Sequence, residues 1–427
     1  MATTINHPQR FALNYELHAR PPDVVDIPER ASYLALAIDP TAKQAEYEHI
    51  AELCTRYGKP PPAPELNHFQ VDLGVFRLKW ERHTECNTYT FFQQGEFDDP
   101  FSDPVIGSVP QDWLESLPGQ VLVAAHVALR AASRRVSSIE DLAALFEGNP
   151  VNGSRIGDGV ANVAADFRIH ADGFSRFLID DVSLTPRQAG RLVQRLLDIE
   201  TYVMRALLTF PLAKAVMPTL VDADLQLAAL INEMVAVKSE DEPALLDRLT
   251  RLAANIESTI SSTLYRIFAA RAYKELLERR LAELREVRLE GMPTIREFVE
   301  RRVLPAMNTC ETVARLQESL SQRISRASEL LRTRVDISLQ RQNQVILSAT
   351  ARRAKLQLHL QQTVEGLSVA AISYYVVGLI GYLAKAVNAV GATVNPDLVI
   401  GIAIPIVAVL ATLGVRHIRR VVQRGAS

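Results

Sequence analysis

The chain has 427 residues, of which 48% are hydrophobic and 22% are charged, and its formal net charge is −2 at pH 7. That length allows two or three domains. The net charge hides an uneven distribution, with a basic stretch at 321–362. We predict no nucleic-acid partner, because lipid contact is the plainer explanation of that stretch. The three cysteines, Cys54, Cys86 and Cys310, are scattered and form no CxxC motif. Such spacing excludes a disulfide framework and is typical of a reducing compartment.

Residues 1–185 predict an α+β cytoplasmic domain with an antiparallel-rich sheet. The polar N-terminus contains no apolar signal-peptide core. In chain order we predict a short alternating segment at 11–18, a strand or helix start at 28–37, a helix at 41–57, antiparallel strands within 67–93, a buried strand at 120–129, a helix at 138–146, and a hairpin of strands at 159–170 and 174–180. Within 67–93 the alternation changes phase at Val75, which predicts a bulge or bend at Gly74.

From residue 185 onward the pattern is helical. Thr185 is a good N-cap, and Pro186 follows at the first helical position. The predicted parts are a helical arm at 186–293, broken at Pro211 and near 237, and a long stalk helix at 294–365 with a kink at Pro305. Apolar residues from Leu316 to Leu339 recur every three or four positions, which predicts a coiled-coil-like seam.

Two uncharged apolar runs, Gly366–Ala384 and Leu398–Val415, follow the stalk. About eighteen residues in a helix rise nearly 30 Å, close to the hydrocarbon thickness of a bilayer. We therefore predict a two-helix transmembrane hairpin at 366–415 and a basic cytoplasmic tail at 416–427. A buried helical hairpin in a soluble core is the alternative.

Basic residues flank both runs. The stretch 321–362 holds eight Arg or Lys and two acids, and four arginines follow residue 415. Because basic residues stay on the cytoplasmic side, both termini are predicted to face the cytoplasm. The lipid bilayer is the predicted partner, and the basic flanks are predicted to contact anionic lipids.

The densest titratable cluster lies in the strand-like stretch around Trp80. A period of two places Glu81, His83 and Glu85 on one face together with Lys79. A histidine with two carboxylates suits a divalent cation or acid–base chemistry, and an ion-paired strand face is the plainer interpretation.

Glu16, His18 and Arg20 have the same spacing as that cluster, and would join it if the two segments paired in one sheet. We predict no bound cofactor except, on this hypothesis, a divalent cation. The glycine-rich segment 153–159 resembles a phosphate-binding loop, but an ordinary loop before a strand explains it as well.

The first apolar run carries polar residues that either pack helices or line a pore formed by several copies. The candidates there and in the connector are Glu365, Ser368, Ser373, Tyr374, Asn388 and Asn395. One hairpin alone supplies few partners for intramembrane polar groups, so both interpretations predict a homo-oligomer.

Three motifs resemble a bacterial family of uncharacterised membrane-anchored proteins, DUF3422. They are the segments 13–21 and 77–85, together with Glu365-Gly366-Leu367-Ser368 and the following Ser373-Tyr374-Tyr375. The resemblance covers essentially the whole chain and implies the bacterial inner (plasma) membrane. It implies no activity.

The order of a cytoplasmic α+β domain, a long stalk helix, a two-pass hairpin and a basic tail also resembles the CorA-type magnesium channels, which are pentamers. Their Gly-Met-Asn motif is absent, and Asn388 and Asn395 are the only amides in the connector. The resemblance implies cation conduction or sensing by an oligomer. The alternatives are a membrane-anchored scaffold or binding protein without transport, and a membrane-tethered enzyme that uses Glu81, His83 and Glu85.

Overall fold

The computed structural model describes residues 6–18, 21–38, 42–131, 139–389, 391 and 395–424. The chain forms two compact units. The first contains residues 1–235 and 247–328, and the second contains residues 236–246 and 329–427. The mixed α/β part is followed by long helices, as the sequence predicts.

The strands of the described residues are β1 (Glu29–Ala37), β2 (His68–Asp72), β3 (Arg77–Arg82), β4 (Cys86–Gln94), β5 (Gln120–Arg130), β6 (Asn152–Ile156), β7 (Ala161–Ala165), β8 (Ser175–Asp181) and β9 (Val287–Arg288). The helices are α1 (Arg10–His18), α2 (Lys43–Arg56), α3 (Gln111–Glu115), α4 (Ile139–Leu145), α5 (Pro186–Leu207), α6 (Thr209–Ala236), α7 (Glu242–Leu284), α8 (Ile295–Ala389) and α9 (Pro396–Arg424).

The strands form one sheet in the order β2-β3-β4-β1-β5-β8-β7-β6-β9. Neighbouring strands run antiparallel, except that β5 and β8 are parallel. The prediction of an antiparallel-rich sheet is therefore confirmed. Strand β1, the first in the chain, lies inside the sheet between β4 and β5.

The two faces of β3 have opposite character because successive side chains of a strand point to opposite sides. Leu78 and Trp80 enter an apolar core that also contains Ile50 of α2 and Trp113 of α3. Each such buried side chain contributes about 1.5–3 kcal/mol. Lys79 and Glu81 point to the opposite face, which helix α5 covers.

Helix α5 begins as the sequence predicts. Pro186 occupies its first turn, and the Gln188 Oε1 atom accepts a hydrogen bond from the backbone N–H of Thr185 at 2.9 Å. Apolar residues at helical spacing, including Leu192 and Leu196, are buried. The break predicted at Pro211 occurs three residues earlier, at Leu208: α5 ends at Leu207 and α6 begins at Thr209. Pro211 is tolerated because it falls in the first turn of α6.

Two further predictions are corrected, and the prediction at Gly74 is confirmed. Residues 11–18, predicted as an alternating segment, lie within helix α1. Gly74, where a bulge or bend is predicted, forms a bend. It lies at a positive φ in the turn between β2 and β3, where Leu73 N–H donates to the Phe76 carbonyl at 3.0 Å. The segment 153–159 is not simply a loop, because β6 covers Asn152–Ile156.

Among the described residues, three helical stretches are long and apolar enough to cross a membrane, by length and composition alone: Pro186–Ala236, Ile295–Ala389 and Pro396–His417. The second and third contain the two predicted apolar runs. The first was not predicted. The apolar part of Pro186–Ala236 excludes most of α5, because α5 contains six charged residues from Arg187 to Arg205.

Within the second unit, Ile400 of α9 lies against Gly381 of α8. A Cβ atom at Gly381 would be 2.9 Å from the Ile400 Cδ1 atom, so the Ile400 side chain would have to shift to make room for it. Small residues at such contacts are typical of close helix packing.

Glu200 of α5 gives the first testable prediction. Burial raises the pKa of its carboxyl to about 7, and its Oε2 atom is buried without a hydrogen-bond partner among the described residues. The folded protein therefore holds a proton that the unfolded chain releases between about pH 4.5 and 7, so stability falls as the pH rises through that range. We expect Glu200→Gln to stabilise the full-length protein by up to about 3 kcal/mol at pH 8 and little at pH 5.

Thermal unfolding in detergent at a series of pH values measures this effect. Glu257 lies exposed on α7, so Glu257→Gln is a matched control without a pH-dependent gain. An equal gain for Glu200→Gln at every pH would contradict the burial argument.

Candidate functional site

A cavity of about 180 Å³ lies in the first unit, between the sheet and the helices α5 and α7. Strands β1, β3 and β4 form one wall, and α5 and α7 form the other. Its charged lining residues are Asp23, Lys79, Glu81, Asp198 and Arg205. So many ionisable groups beside one cavity identify it as the candidate functional site.

Lys79 lies between two carboxylates. Its Nζ atom is 3.6 Å from Asp23 Oδ2 and 3.3 Å from Glu81 Oε1, and both Lys79 and Glu81 are 8% exposed. Burial raises the pKa of Asp23 even though the charges of Lys79 and Arg77 oppose it. The arrangement therefore concentrates negative charge in a place where water screens it poorly.

Asp198 faces this group from helix α5. Its Oδ2 atom accepts a hydrogen bond from Arg280 Nε of α7 at 2.9 Å. Burial raises the pKa of Asp198 to about 6, and the negative charge of Glu81 adds to the rise. The positive charges of Arg280 and Lys79 oppose this rise.

Glu85, in the turn between β3 and β4, binds the two helices at one end of the cavity. Its carboxylate accepts hydrogen bonds from Arg205 Nη1 at 2.6 Å, from Tyr273 Oη at 2.8 Å, from Arg266 Nη1 at 3.2 Å and from Tyr265. Burial raises its pKa, but these donors outweigh burial and hold the pKa of Glu85 below its usual value. Glu85 is therefore a structural anchor with little room for a ligand.

The rest of the lining combines hydroxyl groups with aromatic rings. The Tyr33 hydroxyl and Thr201 Oγ1 are 2.9 Å apart, which ties β1 to α5. Tyr202 and Tyr273 have ring centroids 5.9 Å apart. Burial raises the pKa of the Cys86 thiol, so this cysteine is protonated at neutral pH and is not a reactive thiolate.

The predicted cluster around Trp80 is partly assembled here. Glu81 and His83 line the cavity, and Glu85 adjoins it. Glu16 and His18 belong to helix α1, and β3 pairs with β2 and β4, so the proposed strand pairing with the N-terminal segment is wrong. Arg20 lies outside the described residues.

A metal centre finds no support in the part of the chain that the structure describes. No three His, Cys, Asp or Glu side chains there are arranged to hold a metal ion. The ion-paired strand face, which was the plainer interpretation, matches the contacts of Lys79 and Glu81. These two residues are buried, however, because α5 covers the face.

The membrane candidates lie in the second unit. Glu365, Ser368, Ser373, Tyr374 and Asn388 belong to α8, so Asn388 is helical and not part of a connector. Both serine hydroxyls donate to carbonyls four residues earlier in the same helix, at 2.8 Å for Ser368 and 2.7 Å for Ser373. The Asn395 Oδ1 atom, just before α9, accepts the backbone N–H of Asp397 at 3.1 Å.

Sequence reasoning missed the helical wall of the cavity. Asp198, Thr201 and Arg205 of α5 were overlooked, although all three are spaced to share the stripe that contains Leu197. Polar residues within an otherwise buried helical stripe were the available signal. Asp23 gave no comparable signal, because it lies in an irregular segment.

A Ser–His–Asp alignment also occurs outside the cavity. Ser32 Oγ and His126 Nδ1 are 2.9 Å apart, and His126 Nε2 is 3.6 Å from Asp172 Oδ2. The Ser32 hydroxyl already accepts the backbone N–H of Ile106 and is completely buried. We interpret this group as structural, since a nucleophile must reach its substrate.

The fold and the cavity together define a class: a mixed-sheet unit with a charged internal cavity, joined to long apolar helices. The chain belongs to the family of proteins of unknown function DUF3422, whose profile matches residues 5–422. No curated protein matches the chain. No solved structure matches it either.

Proposed function

We propose that this protein is a membrane-anchored binding protein that takes up a small polar ligand in the cavity beneath α5. The main observation in favour of ligand binding is that Lys79 and Glu81 line a cavity and are each only 8% exposed. Removing a charge from water costs several kcal/mol. Charged groups that line a cavity are typical of functional sites.

The apolar helices support the membrane anchor. The C-terminal part of α8 and the helix α9 hold the runs Gly366–Ala384 and Leu398–Val415, with basic residues before the first and after the second. Large apolar side chains in both are exposed, for example Leu367 at 73% and Leu410 at 63%. A bilayer would cover them and place both basic flanks in the cytoplasm of the bacterium.

Labelling of single cysteines tests the anchor and its orientation. The three native cysteines are buried, so an added cysteine is the reactive one. We expect a membrane-impermeant maleimide to label Asn388→Cys in intact spheroplasts, and to label the control Gln342→Cys only after the membrane is opened. Labelling of Gln342→Cys in intact spheroplasts, or release of the protein by alkaline carbonate, would contradict the proposal.

Cation conduction by a homo-oligomer, such as a pentamer in the CorA manner, stays a prediction. The hydroxyls of Ser368 and Ser373 satisfy carbonyls of their own helix, which is equally expected of a helix that only packs. The oligomeric state in detergent and ion flux in liposomes test conduction. A flux that Ser373→Leu abolishes would favour a channel over the binding protein.

A further inference from the structure

We propose that the cavity beneath α5 binds a small aliphatic amine, with its ammonium held between Glu81 and Asp198. This inference rests on the proposed binding function and names the chemistry of its ligand. It follows from three observations. The two carboxylates can accept further hydrogen bonds, the nearby basic groups already have partners, and the cavity is small and lined by aromatic rings.

Glu81 has unused capacity to accept hydrogen bonds. An ionised carboxylate offers about four acceptor positions. Within the described residues, the Oε1 atom of Glu81 is buried and has no hydrogen-bond partner, and its nearest cation is Lys79 Nζ at 3.3 Å. An unsatisfied buried acceptor is costly, and an N–H donor from a ligand would remove that cost.

Asp198 provides the opposing contact. It lines the same cavity from α5, and Arg280 pairs with it from the side of α7 at 2.9 Å. Glu81 and Asp198 are close enough for their charges to oppose each other. A cation between them would convert this repulsion into two attractions, which no neutral ligand achieves.

The basic groups of the cavity are already occupied. Lys79 is shared between Asp23 and Glu81, and the two Nη atoms of Arg205 donate to Glu85. An anionic ligand would therefore have to displace carboxylates from their partners. The charges select against anions and in favour of cations.

The aromatic rings and the volume of the cavity limit the class of ligand further. Tyr33 and Tyr202 line the cavity, and aromatic rings attract an ammonium. The rings of Phe92 and Tyr273 also line it, but each already has an arginine guanidinium over one face. The cavity of about 180 Å³ favours a small ligand over a large one. An unbranched chain of four carbons with a nitrogen at each end is such a small ligand.

Titration calorimetry on the full-length protein in detergent tests the inference with four compounds of equal chain length. They are 1,4-diaminobutane, the zwitterion 4-aminobutanoate, the dianion succinate and the neutral 1,4-butanediol. We expect 1,4-diaminobutane to bind at least tenfold more tightly than the other three. Tighter binding of succinate or 1,4-butanediol overturns the amine inference, and tighter binding of 4-aminobutanoate overturns the argument that the charges select against anionic groups. Each of these results leaves the binding function standing. If none of the four binds, the amine inference fails. A wider panel of sugars and nucleosides that also gives no binding would overturn the binding function itself.

Two variants test whether the ammonium of the ligand lies between Glu81 and Asp198. Glu81→Gln and Asp198→Asn should each weaken 1,4-diaminobutane binding about tenfold or more, since a hydrogen bond to a charged group contributes about 1.5–3 kcal/mol. Glu278→Gln, an exposed carboxylate on α7, is the matched control and should leave binding unchanged. Circular dichroism identifies a variant that has not folded, in which case the other variant decides. Unchanged binding in a folded Glu81→Gln protein would overturn the site.

Discussion

Replacing Gly190 by alanine is expected to destabilise the first unit by about 3 kcal/mol, because no room exists for a Cβ atom. A Cβ atom at Gly190 would be 1.8 Å from the carbonyl oxygen of Asp23 and 2.7 Å from its carbonyl carbon. Both are backbone atoms, so either α5 or the segment before β1 has to move. That segment is also tied to α5 by the hydrogen bond from Val25 N–H to the Pro186 carbonyl at 3.1 Å.

The displacement should also damage the cavity, because Asp23 is one of its charged residues. Its carboxylate accepts hydrogen bonds from Gln70 at 2.5 Å and Arg77 at 3.2 Å, and it pairs with Lys79. We therefore expect Gly190→Ala to weaken ligand binding as well as folding, measured by thermal unfolding and calorimetry of the full-length protein.

Gly107 supplies the matched control for this substitution. A Cβ atom at Gly107 would have no neighbouring atom within 4 Å, so Gly107→Ala should change stability by less than about 0.5 kcal/mol. Equal effects of the two substitutions would contradict the steric argument.

Glu85→Ala is expected to cost about 3–5 kcal/mol, because it leaves the buried guanidinium of Arg205 without its carboxylate. Arg205 is 2% exposed, and among the described residues Glu85 is the carboxylate that pairs with it. For a domain of this size the loss corresponds to a decrease in Tm on the order of 10 °C. Since the pKa of Glu85 is lowered, its stabilisation is present above about pH 4.5 and is lost as the pH falls through the lower, folded-state value.

A second substitution separates the buried charge from the other contacts of Glu85. Adding Arg205→Met to Glu85→Ala should restore part of the stability, because the unpaired cation is then gone. Glu233→Ala removes an exposed pair with Arg248 and should cost no more than about 1 kcal/mol. A double variant that is less stable than Glu85→Ala alone would show that the unpaired charge is not the source of the loss.

Local patterns predicted the sheet face of the cavity well. Alternation around Trp80 placed Lys79 and Glu81 on one face, and the structure confirms it. Alternation failed at 11–18, where Phe11 and Leu17 lie on α1 and are 71% and 78% exposed. A period of two indicates a half-buried strand only where one face is covered, and these two side chains are exposed.

The cavity as a whole could not be predicted from the sequence, because the residues that form its walls are far apart in the chain. Asp23 and Leu276 lie at its extremes in sequence, and only the packing of α5 and α7 on the sheet brings them together. Asp198 shows the difficulty: on an isolated helix it is an ordinary polar residue. Its raised pKa arises from burial and from Glu81, both of which are tertiary effects.

The interior position of β1 has a consequence for synthesis on the ribosome. This strand emerges first, yet its neighbours β4 and β5 are made dozens of residues later, at a rate of about 5–20 residues per second. For several seconds a segment whose residues are nearly all buried in the folded protein stays without its neighbouring strands, and such exposed segments are prone to aggregation. The last strand to join, β9, is complete at Arg288, well before Gly366 is translated. The order of elements along the chain thus allows the sheet to close before the first apolar run is available for membrane insertion.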